Sequence, residues 1–283
     1  MKSQSRVLQK FARGAVVTAF LVLVGCGSNG SSNPATTIST GPYVPTGFNW
    51  KACDDSASTT TVQCSTLQVP FDYNNPSAGT FTLYVKLLPA ANPTLRIGSM
   101  MVNPGGPGFG GSSLADDASY YFSTDITDHF DIIAWDPRGT GKSTPAVNCV
   151  DDYDEYFGID SPPDSPEENQ ALIDASQAFN DECMANSGEI LPYISTQASA
   201  TDMDSIRQAL GEDKISYFGF SYGSELGATW ATMFPQTVRA AVFDGAVDPQ
   251  ATSSQEGMAQ AGGFEGQLTT FLAACSENNT CAF

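Results

Sequence analysis

Apolar and polar positions alternate through residues 67–69 and 80–88, on either side of the turn-rich stretch Asn74-Asn75-Pro76-Ser77-Ala78-Gly79. A period of two around turn residues predicts an antiparallel strand pair at a sheet edge. Residues 97–102 form a short apolar strand, and Asn103-Pro104-Gly105-Gly106-Pro107-Gly108 after it suits neither helix nor strand. Residues 112–122 read as helix. Residues 130–135 are an apolar run of the kind buried on both faces of a parallel sheet, leading into Asp136-Pro137-Arg138-Gly139-Thr140-Gly141. An acidic, proline-bearing loop covers residues 145–165, and helix is predicted over 167–186. A second helix over 199–210 carries the cap signal Thr201-Asp202 and stops at Gly211. A buried strand (215–220), a helix (221–234), a strand (238–243) and a helix (253–275) complete the pattern. Strands alternating with helices from residue 97 onward predict an α/β fold, doubly wound around a mostly parallel sheet with right-handed crossovers.

Gly219-Phe220-Ser221-Tyr222-Gly223 falls between one such strand and its helix. A chain that reverses from strand to helix within a few residues forces the central serine toward positive φ, and bulk at either glycine would collide across the turn. The arrangement lifts the Ser221 hydroxyl into solvent at the carboxyl end of the sheet, which makes Ser221 the candidate nucleophile. Acyl transfer also requires donors for an oxyanion. The Tyr222 N–H, next after the nucleophile, is one candidate, and the rigid glycine-proline loop at 104–108 is positioned to supply another.

Composition narrows the chemistry. The 283 residues are 41% hydrophobic and 15% charged, enough apolar material for a single core. Net charge is −19, a field that repels phosphate backbones and argues against nucleic acid as a partner. With one histidine in the sequence, a histidine-built metal site is not expected, and no cofactor is implied. Gly139-Thr140-Gly141-Lys142-Ser143 has a phosphate-loop flavour, but that pattern needs glycine where Asp136 stands, so it reads as a structural turn in which Arg138 pairs Asp136 or a neighbouring acid.

The amino terminus reads as an export signal. Lys2, Arg6, Lys10 and Arg13 precede an uncharged run over 14–25, too short for a membrane span, which ends Leu23-Val24-Gly25-Cys26. This resembles a bacterial lipoprotein signal spanning residues 1–26, with Cys26 as the lipid anchor and residues 27–48 as a flexible tether. Without the four basic residues of that segment the chain carries 8 basic against 31 acidic residues, a net charge of −23. The expected location is the outer side of a membrane, held only by the lipid, or the exterior. The six remaining cysteines (Cys53, Cys64, Cys149, Cys183, Cys275 and Cys281) lack any C-x-x-C spacing and read as disulfides, as export permits. Six can pair in fifteen ways. Nearest-neighbour pairing, which closes three local loops, is the expectation.

Three stretches carry a family resemblance: Asn103 to Gly108, Asp136-Pro-Arg-Gly-Thr-Gly-Lys-Ser143, and Gly219-Phe-Ser-Tyr-Gly-Ser224. Together, in this order, they resemble the α/β-hydrolases, and within them the exported tripeptidyl aminopeptidases and proline iminopeptidases. The resemblance implies release of residues or short peptides from a free peptide amino terminus. It also implies that Gly106, the second glycine of its loop, lines the oxyanion hole. An esterase acting on small esters, and a non-catalytic surface binding protein that kept the bend, are the alternatives.

The same resemblance exposes what is missing. In this fold the order is serine, then Asp or Glu, then His, and no histidine follows Ser221. His129 precedes the strand at 130 and is expected at its far end. Asp244 and Asp248 follow a strand and read as turn residues, and Glu225 as a helix-surface residue. The family carries two more strands, bearing the acid and the histidine. The expectation is therefore a core over 49–250 truncated before its last two strands, followed by the beginning of a helical cap at 251–283. Such a chain, the amino-terminal part of a longer enzyme, is expected to be a poor catalyst by itself.

Overall fold

A computed structural model describes residues 43–54, 61–159, 163–248, 250–277 and 281. The signal, Cys26 and most of the tether lie outside the described residues. Seven strands form one mixed sheet in the order β1-β2-β3-β5-β4-β6-β7. β1 (Lys51–Ala52), β2 (Gln63–Asp72) and β3 (Asn75–Leu88) are antiparallel, and β3 also meets β5 antiparallel. β4 (Gly98–Asn103), β5 (Phe130–Trp135), β6 (Ile215–Phe220) and β7 (Val238–Asp244) run parallel. The helices are α1 (Ala118–Tyr121), α2 (Thr124–Thr127), α3 (Asp154–Phe157), α4 (Pro166–Ser187), α5 (Thr196–Ala209), α6 (Tyr222–Met233) and α7 (Ser253–Ser276).

Alternation in β4 and β5 divides the core between the two faces of the sheet. Met101, Ile133 and Trp135 point to one face with Tyr217, Trp230, Met203 and Ile206, while Met100, Val102, Ile132 and Ala134 point to the other with Leu114 and Ala118. That two-sided burial is why residues 130–135 carry little polarity.

Several local expectations are corrected. The turn before β3 is short: β3 already begins at Asn75, the Asp72 carboxylate accepts the Asn74 N–H at 2.8 Å, and the two-residue β1 lies outside the β2–β3 pair as a further edge. Residues 112–122 form a 3₁₀ turn at Ser112–Ala115 followed by α1, not one helix. The 145–165 loop contains α3. α5 starts at Thr196, capped by the Ser195 hydroxyl accepting the Ala198 N–H at 3.1 Å, so Thr201-Asp202 lies inside the helix. The last residues of the expected tether are packed: the Tyr43 hydroxyl donates to the Gln68 carbonyl at 2.7 Å, and Phe48 stacks on Trp50. Disulfides join Cys53 to Cys64, Cys149 to Cys183 and Cys275 to Cys281.

Arg138 also departs from expectation. It is 1% exposed and makes a two-pronged pair with Asp202, Nε to Oδ2 at 2.8 Å and Nη2 to Oδ1 at 2.6 Å, an acid 64 residues away. Burial alone would lower the guanidinium's proton affinity; the bonds to Asp202 outweigh it and hold Arg138 above its ordinary value. The Tyr73 hydroxyl donates to the same carboxylate at 2.8 Å. Asp136 instead binds backbone: its Oδ1 accepts the Ser112 N–H and its Oδ2 the Lys142 N–H, each at 2.8 Å. It thereby ties the segment after the glycine-proline loop to the turn after β5.

Candidate active site

Parallel register places the chemistry-bearing loops together. Asn103, the last residue of β4, pairs with Gly219 near the end of β6, so the loop after β4 and the turn after β6 emerge side by side. Ser221 has φ +52° and ψ −122°, the single non-glycine residue at positive φ among the described residues. A serine held there is strained, and the surroundings over-determine it. A Cβ on Gly219 would strike the Gly223 carbonyl, and one on Gly223 would lie 2.7 Å from the Asn103 carbonyl oxygen. The Ser221 N–H donates to the Asp244 carbonyl at 2.8 Å, and the Ser224 N–H to the Ser221 carbonyl at 2.8 Å. Beneath the turn, the buried Tyr217 hydroxyl donates to the Gly223 carbonyl at 2.6 Å. The result is an exposed Ser221 at the amino end of α6.

The glycine-proline loop lies against this serine. A Cβ on Gly105 would sit 2.9 Å from the Ser221 Cβ and 2.5 Å from the Phe220 carbonyl oxygen, so only glycine fits. Gly105 and Gly106 have φ +86° and +70°. The Gly105 N–H donates to Asn103 Oδ1 at 2.9 Å, whereas the Gly106 N–H has no partner among the described residues. Tyr222 opens α6, and a first-turn amide has no acceptor within its own helix. Its phenol hydrogen-bonds Thr196 at 3.0 Å; burial, opposed by that bond and helped by Glu225, raises its pKa, so it stays protonated.

A cavity of about 300 Å³ opens over Ser221, bounded by Pro107, Tyr222, Val247 and the carboxyl-bearing Glu225 and Glu256. Glu225 thus faces the serine's cavity, rather than being a plain surface residue. No histidine stands beside Ser221. His129 precedes β5, whose Phe130 pairs with Gly98 at the opposite end of β4 from Asn103, roughly 16 Å of strand away. Its Nδ1 is 2.8 Å from the Asp125 carbonyl oxygen. Asp244 reaches Ser221 only through its backbone carbonyl, and the Asp248 carboxylate accepts the Gln250 N–H at 2.9 Å as a turn residue does. No candidate metal cluster occurs among the described residues.

Sequence reasoning overlooked Asn103 as a side chain, Tyr217, and Ser224, whose Oγ accepts the Val247 N–H at 3.1 Å. One signal was available for Tyr217. Gly219, Gly223 and Gly227 recur at intervals of four, and a Cβ at the first or last of them would collide with the Tyr217 ring.

A model of the alpha/beta hydrolase fold matches residues 98–283. The chain belongs to that family. It is 34% identical over 276 residues to the serine protease Hip1 of Mycobacterium tuberculosis, covering 94% of this chain and 52% of the relative. It is 34% identical over 211 residues to the tripeptidyl aminopeptidase of Streptomyces lividans (72% and 39%), and 36% identical over 248 residues to carboxylesterase B of M. tuberculosis (85% and 47%). The chain spans about half the length of the curated relatives it matches.

Proposed function

We propose that this chain is the amino-terminal part of a serine hydrolase that releases residues or short peptides from the amino terminus of a peptide through an acyl-enzyme on Ser221. The observation that carries the reading is the strained, exposed Ser221 with Gly105 packed against its Cβ and the Gly106 amide without a partner among the described residues. In the reaction the Ser221 Oγ attacks the scissile carbonyl while the Gly106 and Tyr222 N–H groups hold the developing oxyanion. Expulsion of the amine leaves the acyl group on Ser221, and water then releases it. The proton from Oγ needs an acceptor. The sequence has no histidine beyond His129, so polypeptide outside this sequence supplies the base.

Glu225 and Glu256 favour an amine-bearing substrate over a neutral ester, because carboxylates beside the cavity attract the ammonium of a free amino terminus. The carboxylesterase relative supports the second reading, an esterase on the same scaffold. The disulfides, the acidic balance and the residues before Cys26 support export with a lipid anchor at Cys26, and α7 fits the opening of a cap.

The test pairs the chain with the longer polypeptide. A fluorophosphonate should label Ser221 of the longer form far faster than residues 1–283, and Ser221→Ala should take no label in either. Aminoacyl-naphthylamides should be cleaved in preference to acyl esters. Labelling of residues 1–283 at the rate of the longer form would overturn the claim that the base lies elsewhere. Turnover of acyl esters alone would replace the peptidase reading with the esterase one. Export is checked by fractionation: Cys26→Ala should move the protein from membrane to soluble fractions.

A further inference from the structure

We propose that Asn103 is a positioning residue that selects which amide of the glycine-proline loop faces Ser221; this rests on the hydrolase reading above. The side chain is unusual for its place. It is a neutral amide at the end of a parallel core strand, 3% exposed, in a β4 otherwise built from Gly, Ser, Met and Val. Burying an amide costs free energy unless its bonds are made, so a specific use is expected.

Asn103 touches both halves of the machinery. Its backbone pairs with Gly219, immediately before the bend. Its carbonyl oxygen and Oδ1 lie 2.7 and 2.9 Å from where a Gly223 Cβ would stand, so Gly223 rests directly on it. The same Oδ1 accepts the Gly105 N–H at 2.9 Å. One side-chain oxygen therefore sets the loop and the start of α6 against each other. By occupying the Gly105 amide, Asn103 turns that donor inward and leaves the Gly106 amide for a substrate oxygen. Free of this bond, two consecutive glycines at positive φ have many other conformations, and an oxyanion donor counts only when preorganised.

Two variants and two readouts test this. Asn103→Ala removes the acceptor. Asn103→Asp keeps it but adds a negative charge close to the oxyanion, a charge that acid neutralises. In the longer polypeptide, fluorophosphonate labelling of Ser221 should slow about tenfold in Asn103→Ala, less than the 10²–10³ typical of deleting a donor outright. In Asn103→Asp labelling should be slow near about pH 8, with its ratio to wild type climbing toward one near about pH 5, a dependence that packing alone would not produce. Amide exchange at Gly105 needs no reaction at Ser221: it should speed up about tenfold in Asn103→Ala and stay near wild type in Asn103→Asp. Equal exchange in all three proteins, or a labelling ratio flat with pH, overturns the proposal. A longer wild-type polypeptide that takes no label while the exchange contrast holds sinks the hydrolase reading instead, leaving Asn103 as a clamp without a reaction. If Asn103→Ala fails to fold, Asn103→Asp alone decides through its pH profile.

Discussion

β6 and β7 lie side by side in one parallel sheet, and both are short, apolar-rich runs, yet their surroundings differ. β6 sits between β4 and β7 under α6, with Ile215, Ser216 and Tyr217 buried. β7 pairs only with β6 among the described residues, and leaves Val242 48% and Phe243 37% exposed. α7, which follows it, exposes Met258, Phe264, Leu268, Phe271 and Leu272. A strand's apolar content is matched to the surface it finally buries, so β6 has its surface and β7 carries apolar area beyond what its described neighbours cover. An open, apolar edge is also a hazard that folded proteins cover or blunt. The difference supports the proposal that further polypeptide packs beyond β7, on the side of Ser221 where Asp244 ends the strand. Ser221 is already held by the Asp244 carbonyl, so whatever steadies β7 steadies the candidate nucleophile.

The largest contrast should come from truncating one aromatic ring on each strand. Tyr217→Ala empties a buried site against Trp230 and leaves the Gly223 carbonyl without its hydroxyl donor. A loss of about 3–5 kcal/mol is expected, the usual range for a large buried aromatic, with a Tm drop on the order of 10 °C. Phe243→Ala, one strand over, should cost about 1 kcal/mol or less in this chain. Thermal unfolding of both variants checks the comparison; similar losses would show that β7 is as firmly built in as β6.

The strands that position the site were legible because burial on both faces leaves an unmistakable apolar signature. Residues 130–135 and 215–220 match β5 and β6 end for end. Ser221 was legible for a related reason: only a tight strand-to-helix bend calls for glycine on both sides of a serine. Long-range polar pairing left no such trace. Asp202 looked like a cap residue and is instead the buried partner of Arg138, a contact made by tertiary packing between α5 and the turn after β5. Asn103 looked like the first residue of a loop, because nothing local shows that its side chain turns back to bind the Gly105 N–H. The base that the proposed reaction needs left no signature, since no histidine follows Ser221 in the sequence.

A smaller effect should separate the two strands through acid. At the amino end of the sheet Glu212 takes Arg96 at 2.7 Å, Arg239 of β7 at 3.0 Å and the Ser99 N–H at 2.8 Å. Burial would raise this carboxyl, and the bonds from Ser99, Arg239 and Arg96 overcome it, so its pKa lies below the ordinary value. A lowered folded pKa contributes stability that is fully present above the unfolded value and is lost as pH falls through the folded one. Amides of β7 should therefore exchange faster relative to those of β6 once pH drops below the ordinary glutamate range, about 4.3. Glu212→Gln should show the faster β7 exchange already at neutral pH and respond less to acid. A β7-to-β6 exchange ratio that ignores pH in the wild type would mean the Arg239 contact does not anchor the strand.

The smallest effect is expected at Val242, which pairs with Phe218 across the β6–β7 register and is about half exposed. In residues 1–283, Val242→Lys replaces an apolar group already in contact with water. Stability should change by no more than about 0.5 kcal/mol, as for ordinary surface positions. The charge should also reduce concentration-dependent self-association by blunting the open edge, which light scattering reads directly. In the proposed longer polypeptide the same lysine would be driven under whatever covers β7, at a cost of about 1–3 kcal/mol for an imperfectly solvated polar group. The informative quantity is the difference between the two unfolding experiments. A variant equally harmless in both would place the added polypeptide away from β7, and the contrast with β6 would then reflect a strand meant to face water.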